Sequence, residues 1–462
     1  MRARHLGTRL QRSGRVWWLT ARNGWRFVAH RVRRRLAPEH RRAELDDQFT
    51  LRTADDVARA LGNMKGALMK AGQLLSFIVE ALPENAQQSL ASLYSDAAPM
   101  SEELAAQVVR EELGRDPEHV FLDWSRAPVA AASIGQVHRA VTRDGRVVAV
   151  KVQYPGVGAA IEADLSNADA LYRMVAAFTL KGLDTRALVD ELRARMRDEL
   201  DYRIEARNVA ELAAIVEGHP FVTLPALVPE HCTQRVLTTE WIDGLSWGEF
   251  TAVATPAARR RAGESIWRFA QHCILRVGVF NGDPHPGNYR FSHDGDVTFL
   301  DFGLVKRWAP GEWEQLAPSM DAIIVHRDPA LLVATMEASG FLRAGHGLDP
   351  QAVFDYVASP YRPYLTDTFT FTREFMKDTV GRLIDVNGPH AAVIATIDMP
   401  PSFLMLDRVV WGVSALLGKL EVTAPWRAML LEYITDGPPA TDLGHAERAW
   451  RQKHAVARPH PV

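Results

Sequence analysis

The stretch Asn281-Gly282-Asp283-Pro284-His285-Pro286-Gly287-Asn288, followed eleven residues later by Leu300-Asp301-Phe302-Gly303, decides how this 462-residue chain is read. Asp283 and Asn288 stand five apart. Asp301 follows thirteen residues later, at the end of the apolar run from Val297 to Leu300, which reads as a strand. Transfer of a phosphoryl group from ATP uses a carboxylate beside the acceptor hydroxyl, and an amide plus a second carboxylate that hold magnesium. The stretch offers those groups in that order. Asp-Phe-Gly alone carries little, because chance produces it often; the two motifs at this separation carry far more. The competing reading is a Pro/Gly turn before a strand, with acids that serve solubility.

A lysine upstream tests the idea. Val147-Val148-Ala149-Val150-Lys151-Val152 is an apolar strand with a single cation inside it. A lysine in a buried strand needs an anionic partner. In a phosphotransferase lobe that partner is a helix glutamate, and the two share the α/β-phosphates of ATP. The plainer alternative is an edge-strand lysine whose ammonium snorkels to water. No Gly-x-Gly-x-x-Gly precedes the strand; Val129-Ala130-Ala131-Ala132-Ser133-Ile134-Gly135 stands there instead. Alanine keeps a Cβ and resists the positive-φ and close-approach geometries open to glycine. A tri-alanine turn over the phosphates should be stiff and should seat a nucleotide differently. Alone, Ala-Ala-Ala-Ser reads as a helix start or a small-residue packing surface.

Taken together, these residues resemble the UbiB (aarF-domain) family of atypical kinases, which is associated with coenzyme Q and other prenyl lipids. Five features carry the resemblance: Lys70-Ala71-Gly72-Gln73; the alanine-rich loop Ala130 to Ser133; the lysine strand with Gln153-Tyr154-Pro155-Gly156 after it; Glu199-Leu200-Asp201-Tyr202-Arg203-Ile204-Glu205; and the paired motifs at Asp283–Asn288 and Asp301–Gly303. The match runs from about Asn63 to about residue 420. The resemblance implies that Lys151 binds the α/β-phosphates of ATP and is held by Glu205. It implies that Asp283 is a base or orients the acceptor hydroxyl, that Asn288 and Asp301 bind Mg2+, and that Ala130, Ala131, Ala132 and Ser133 cover the phosphates through their backbone. It further implies that Glu199, with Asp201 in the same motif, meets Lys70 and Gln73, laying a helix across the cleft where a protein kinase admits a peptide. Without the resemblance, Lys70, Gln73 and Glu199 read as a solvated face of i,i+4 pairs. Spacing adds one constraint: Glu199 and Glu205, placed on one helix, point roughly 120° apart and should not serve one ligand from the same face.

His285 reads as a residue that orients its loop by hydrogen bonding, ahead of a metal ligand or general base. Phosphotransferases of the choline and aminoglycoside kinase type also carry histidine in such a loop. No Ala-Pro-Glu follows Asp301 at the distance of a protein-kinase activation segment, since Ala309-Pro310-Gly311-Glu312 is too close. Peptide phosphorylation loses support accordingly.

Composition fits a two-lobed core with extensions. Apolar residues make up 47% of the chain, and the net charge of −2 gives no global argument for nucleic acid. Cys232 and Cys273 have no metal spacing and suit a reducing compartment as small buried hydrophobes. The charge is uneven, however. Residues 1–42 hold thirteen arginines and one acid, Glu39, with Trp17, Trp18, Trp25 and Phe27 interleaved. Such a segment suits the surface of an anionic bilayer. Its rivals are a disordered basic tail, a nucleic-acid arm and a transit peptide. It lacks the apolar core of a secretory signal. No apolar run reaches membrane-spanning length; the nearest, Phe403 to Leu420, is broken by Asp407, Arg408 and Lys419.

The expected organisation follows. Residues 1–42 form a basic amphipathic segment and 43–120 a helical extension carrying Lys70 and Gln73. Residues 121–243 form a kinase-like N-lobe: a β-meander to 155, helices over 158–217 carrying Glu199 and Glu205, and a strand Arg235 to Trp241. Glu240 to Gly244 then serves as the hinge, with Glu240 at the nucleotide. Residues 244–440 form a mainly helical C-lobe, and 441–462 a polar, mobile tail. The fold class is α+β, a protein-kinase-like two-lobed fold with a helical N-terminal extension. The expected function is an ATP- and Mg2+-dependent atypical kinase or ATPase. It would be cytoplasmic, peripheral to the inner face of the membrane, and would support prenyl-lipid (quinone) metabolism. A prenyl lipid or quinone precursor and the anionic membrane surface are candidate partners; nucleic acid is not expected. The alternatives are a small-molecule phosphotransferase of the choline/aminoglycoside kinase type and a non-catalytic nucleotide-binding scaffold.

Overall fold

The computed structural model describes residues 100–132, 134–158, 194, 197–385, 388–398 and 403–454. The smaller lobe is built on a five-stranded antiparallel sheet: β1 (Asp123–Trp124), β2 (Ala130–Ala132), β3 (Gly135–Val141), β4 (Val147–Gln153) and β6 (Val236–Glu240). The order is β1-β3-β4-β6, with β2 on the same edge of β3 as β1. Strand β4 shows why the lysine ends where it does. Val148, Val150 and Val152 are fully buried, while Val147, Ala149 and Lys151 alternate onto the opposite face. The valines join Phe121, Trp124, Ala140 and Val236 in one core, leaving Lys151 to face the cleft.

Helix α1 (Glu102–Leu113) closes that core with Val108 and Val109. It is capped by Ser101 at its start and by left-handed Gly114 at its end. The boundary expected at 120/121 therefore runs through a shared hydrophobic core. The small lobe also holds α2 (Tyr202–Ile215), which contacts β6.

The larger lobe contains α3 (Trp247–Val253), α4 (Pro256–His272), α5 (Glu312–Asp321), α6 (Pro329–Ala338), α7 (Pro350–Val357), α8 (Arg373–Ile384), α9 (Phe403–Leu420), α10 (Trp426–Ile434) and α11 (Asp442–His454). Short strands carry the motif loops. Strand β7 (Val279–Asn281) pairs with β10 (Val305–Arg307), and β8 (Tyr289–Phe291) with β9 (Val297–Phe299), which also pairs in parallel with β5 (Val222–Thr223). A further small pair joins β11 (Phe369–Thr370) and β12 (Thr423–Ala424). Helix α4 runs into a π-turn, Cys273–Val277, ended by left-handed Gly278, and so delivers the chain into β7. Cys232 and Cys273 are free thiols, and Cys273 is buried.

The expected mobile tail after 441 is instead helix α11 as far as His454. Sequence polarity misled because its polar groups are spent inside the lobe. Arg268 on α4 is fully buried and donates to Glu264, to both oxygens of Glu432 at 2.9 Å, and to Glu447 of α11 at 3.2 Å. Burial opposes the charge on Glu447, but His272 and Arg268 outweigh it and hold the carboxyl at about 2. Trp450 of α11 is 5% exposed and donates from Nε1 to the Glu217 carbonyl just past α2.

Candidate functional site

Lys151 Nζ donates to both carboxylate oxygens of Glu205, at 3.0 and 2.8 Å, and stands 3.6 Å from Asp301 Oδ2. Its side chain is 16% exposed and that of Glu205 is 7% exposed, so each charge depends on the others. Burial opposes the ammonium, yet Asp301 and Glu205 outweigh it and hold Lys151 well above the usual lysine range. Burial also raises the Glu205 carboxyl to about 6, against the pull of Lys151. Both groups are thus charged at neutral pH. Tyr202 lies beneath the pair, its ring 5.0 Å from Lys151 Nζ and its hydroxyl without a partner among the described residues.

Glu199 and Glu205 do not share a helix, contrary to expectation. The helical turn carrying Glu199 ends at Glu199 itself, and a new helix, α2, starts at Tyr202. The reason is Asp201: extended at φ −126° and ψ 93°, it caps α2 by accepting from the Arg203 amide and also pairs with the Arg203 guanidinium. The two carboxylates are therefore not fixed 120° apart by a common helix. Lys70 and Gln73, expected to meet Glu199, lie outside the described residues, as does Ser133.

The alanine loop also differs from the expected turn. Ala130, Ala131 and Ala132 form strand β2, in register with Val137, Gln136 and Gly135. Close strand approach explains the glycine that follows: a Cβ on Gly135 would stand 2.2 Å from the Val152 carbonyl oxygen and 3.0 Å from the Tyr202 hydroxyl. Glu240, expected at the nucleotide, is tied to the strand's neighbour Ala226. Its carboxylate accepts from the Ala226 amide at 3.1 Å and its own amide donates to the Ala226 carbonyl.

Hydrogen bonds join the residues of the two motifs. Asn288 Nδ2 donates to the Asp283 carbonyl at 2.9 Å and to its Oδ2 at 3.3 Å, leaving the Asn288 amide oxygen for a metal. Asp301 Oδ1 accepts from the Gly303 amide. One amide oxygen and one carboxylate are hard donors that suit Mg2+ sharing its shell with phosphate. His285 Nδ1 accepts from Gly287 N at 3.1 Å, which organises the loop. Three contacts escaped the sequence reading. Asn281 bridges the motifs, donating to the Asp301 carbonyl and accepting from the Asp283 amide. Asn208, one turn after Glu205, donates to the Phe302 carbonyl and so ties α2 to Asp-Phe-Gly. Arg408 of α9 donates to Asp283 Oδ1 at 2.5 Å. Asn281 and Asn208 were detectable from position, one within the motif and one at i+3 from Glu205; Arg408, 125 residues from its partner, was not.

The family model of the ABC1 atypical kinase-like domain matches residues 92–335. The chain belongs to the ABC1 atypical kinase-like family. That is the family its motifs resembled. It is 34% identical over 270 residues to Protein ACTIVITY OF BC1 COMPLEX KINASE 1, chloroplastic, of Arabidopsis thaliana, covering 56% of this chain and 39% of that one. It is 30% identical over 270 residues to AarF domain-containing protein kinase 1 of Gallus gallus, covering 56% and 51%. The chain thus spans about half the length, or less, of these curated relatives. Among solved structures it is similar to the Rv3197–erythromycin complex of Mycobacterium tuberculosis, with 30% identity, a TM-score of 0.62, and coverage of 85% of this chain and 98% of that one. The ABC1 kinase-like domain so combines a mixed sheet-and-helix small lobe with a mainly helical large lobe. Among the described residues no helix is long and apolar enough to cross a membrane, and the basic segment 1–42 lies outside them.

Proposed function

We propose that the chain is an ATP- and Mg2+-dependent atypical kinase or ATPase that works at an anionic membrane surface on prenyl-lipid (quinone) metabolism. The observation that carries the nucleotide part is the Lys151–Glu205–Asp301 cluster beside Asp283 and Asn288. In this reading Lys151 binds the α/β-phosphates and Glu205 fixes its direction. Asn288 and Asp301 hold magnesium, which would neutralise the phosphate charge when bound. Asp283 accepts the proton of an acceptor hydroxyl; the acceptor oxygen bonds to the terminal phosphorus as the bond to the ADP oxygen breaks. The arginine-rich segment 1–42 and the family resemblance carry the membrane and lipid parts.

The test is thermal stabilisation by Mg-ATP. Asp301→Asn should remove the magnesium-dependent shift while the variant keeps its unliganded melting temperature to within a few degrees. An equal shift in parent and variant sinks the assignment. Labelled phosphate followed into water, lipid, protein or small molecule, with and without anionic vesicles, then separates ATPase from kinase. A second reading, small-molecule phosphotransferase, draws support from the similar M. tuberculosis structure, which is a complex with erythromycin. Erythromycin therefore belongs among the acceptors tried.

A further inference from the structure

The outer face of α1 borders a groove of about 760 Å³. The inner face of that helix packs Val108 and Val109 on the valine side of the sheet, so the groove lies on the far side of the sheet from Lys151. Five acids line it, Glu102, Glu103, Glu111, Asp116 and Glu118, against two arginines. Arg110 is held by Asp116, Arg126 stands 3.4 Å from Glu118, and Glu111 is held by Arg235. Glu102 and Glu103, both exposed, have no ion pair among the described residues. Complementing the helix dipole explains acids in the first turn of α1; it does not explain Glu111 in the last turn or the two acids beyond it.

The same chain holds a cationic segment to match. Residues 1–42 carry +12, thirteen arginines against Glu39; since the whole chain carries −2, the remaining residues carry −14. Residues 43–99, which join that segment to Met100 at the rim of the groove, hold eight acids and four bases and so do not share its charge. Because segment and groove belong to one molecule, each contact between them needs only modest strength. We propose that the groove on α1 is the docking site of the arginine-rich segment 1–42 of the same chain, with guanidinium groups paired to Glu102 and Glu103. A guanidinium fork matches a carboxylate through two parallel hydrogen bonds. Neither Lys151 nor the motif loops take part. While docked, the arginines are withheld from other anionic surfaces, a membrane included.

Trypsin reports the docking, because it cuts after arginine only where the chain is accessible. Full-length protein is digested briefly at low salt, and cuts within 1–42 are timed by mass spectrometry, with cuts beyond residue 42 as the reference for protease activity. Glu102→Gln/Glu103→Gln removes two groove charges and should raise the rate of cutting within 1–42 by roughly fivefold, as expected for two lost surface ion pairs. Asp294→Asn/Glu374→Gln makes the same change in net charge at exposed positions of the large lobe and should be cut as the parent is. Sodium chloride at about 0.5 M should bring the parent to the rate of the groove variant, since it screens exposed pairs. Equal rates in the parent and the groove variant at low salt overturn the proposal, as does a large-lobe variant cut as fast as the groove variant. Protection that falls on dilution assigns the segment to the groove of a second copy and overturns docking within one molecule.

Discussion

Gly135 ends the alanine segment because nothing larger fits between β3 and β4. Its missing Cβ would press on a carbonyl oxygen of the neighbouring strand, and backbone cannot yield as a flexible side chain can. Gly135→Ala should therefore destabilise the protein by about 1–3 kcal/mol, the usual cost of overpacking. Gly248→Ala in α3, where no atom lies within 4 Å, should stabilise it by about 0.5–1 kcal/mol. Urea denaturation of the two variants checks both signs; equal midpoints would show that β3 and β4 leave room for a methyl group. At this scale the sequence was informative wherever one residue sat inside a pattern. Lys151 stood out as one cation among valines, and Asp283, Asn288 and Asp301 by their spacing. Arg408 carried no such mark: inside an apolar run it read only as an interruption. Its partner is chosen by the packing of α9 on the loop, which no local pattern encodes.

The α2 helix shows how far element-level reading reaches. A helix carrying Glu205 was legible, but its start was not, because Asp201 was read as part of a binding motif and not as a cap. Yet aspartate is among the preferred N-cap residues, and its capping bond to the Arg203 amide fixes the first turn. Tyr202 and Glu205 both sit in that turn. Asp201→Ala should cost about 0.5–2 kcal/mol of stability, and Asp201→Ser a few tenths. Both changes remove the carboxylate, so chemical denaturation together with Mg-ATP thermal shift distinguishes the roles. Loss of nucleotide stabilisation in both variants alike would mean that the carboxylate acts as more than a cap. Helix α11 was missed for the converse reason. Its sequence is polar, and only the buried charges on α4 and α10 give Glu447 and Trp450 a place inside.

At the scale of the whole molecule, mild acid should weaken the fold through its buried histidines. Burial lowers His138, His219 and His231, and His219 falls to about 4. Unfolded, each takes up a proton near 6.5. Between about 6.5 and 4 the unfolded chain therefore binds more protons than the native one, so stability present above 6.5 is lost as pH falls. Glu205 and Asp407, each raised to about 6 by burial, oppose this in part with two groups. Asp201, lowered by its hydrogen bond to Arg203, acts only at still lower pH. Urea midpoints at pH 7.5, 6 and 5 should decline in that order; a flat series would mean that these rings are already open to water.

The partners of Arg268 also set an order in time. Glu432 and Glu447 lie 164 and 179 residues further along the chain. At ribosomal speeds of about 5–20 residues per second, roughly ten to thirty-five seconds separate the synthesis of Arg268 from that of Glu447. Until Glu432 is made, only Glu264, four residues away, can supply a carboxylate to the guanidinium. The large lobe thus cannot reach its final packing while the chain is still short of its α11 segment. In that interval the apolar face of α4, with Trp267 and Phe269, stays open to whatever binds nascent chains.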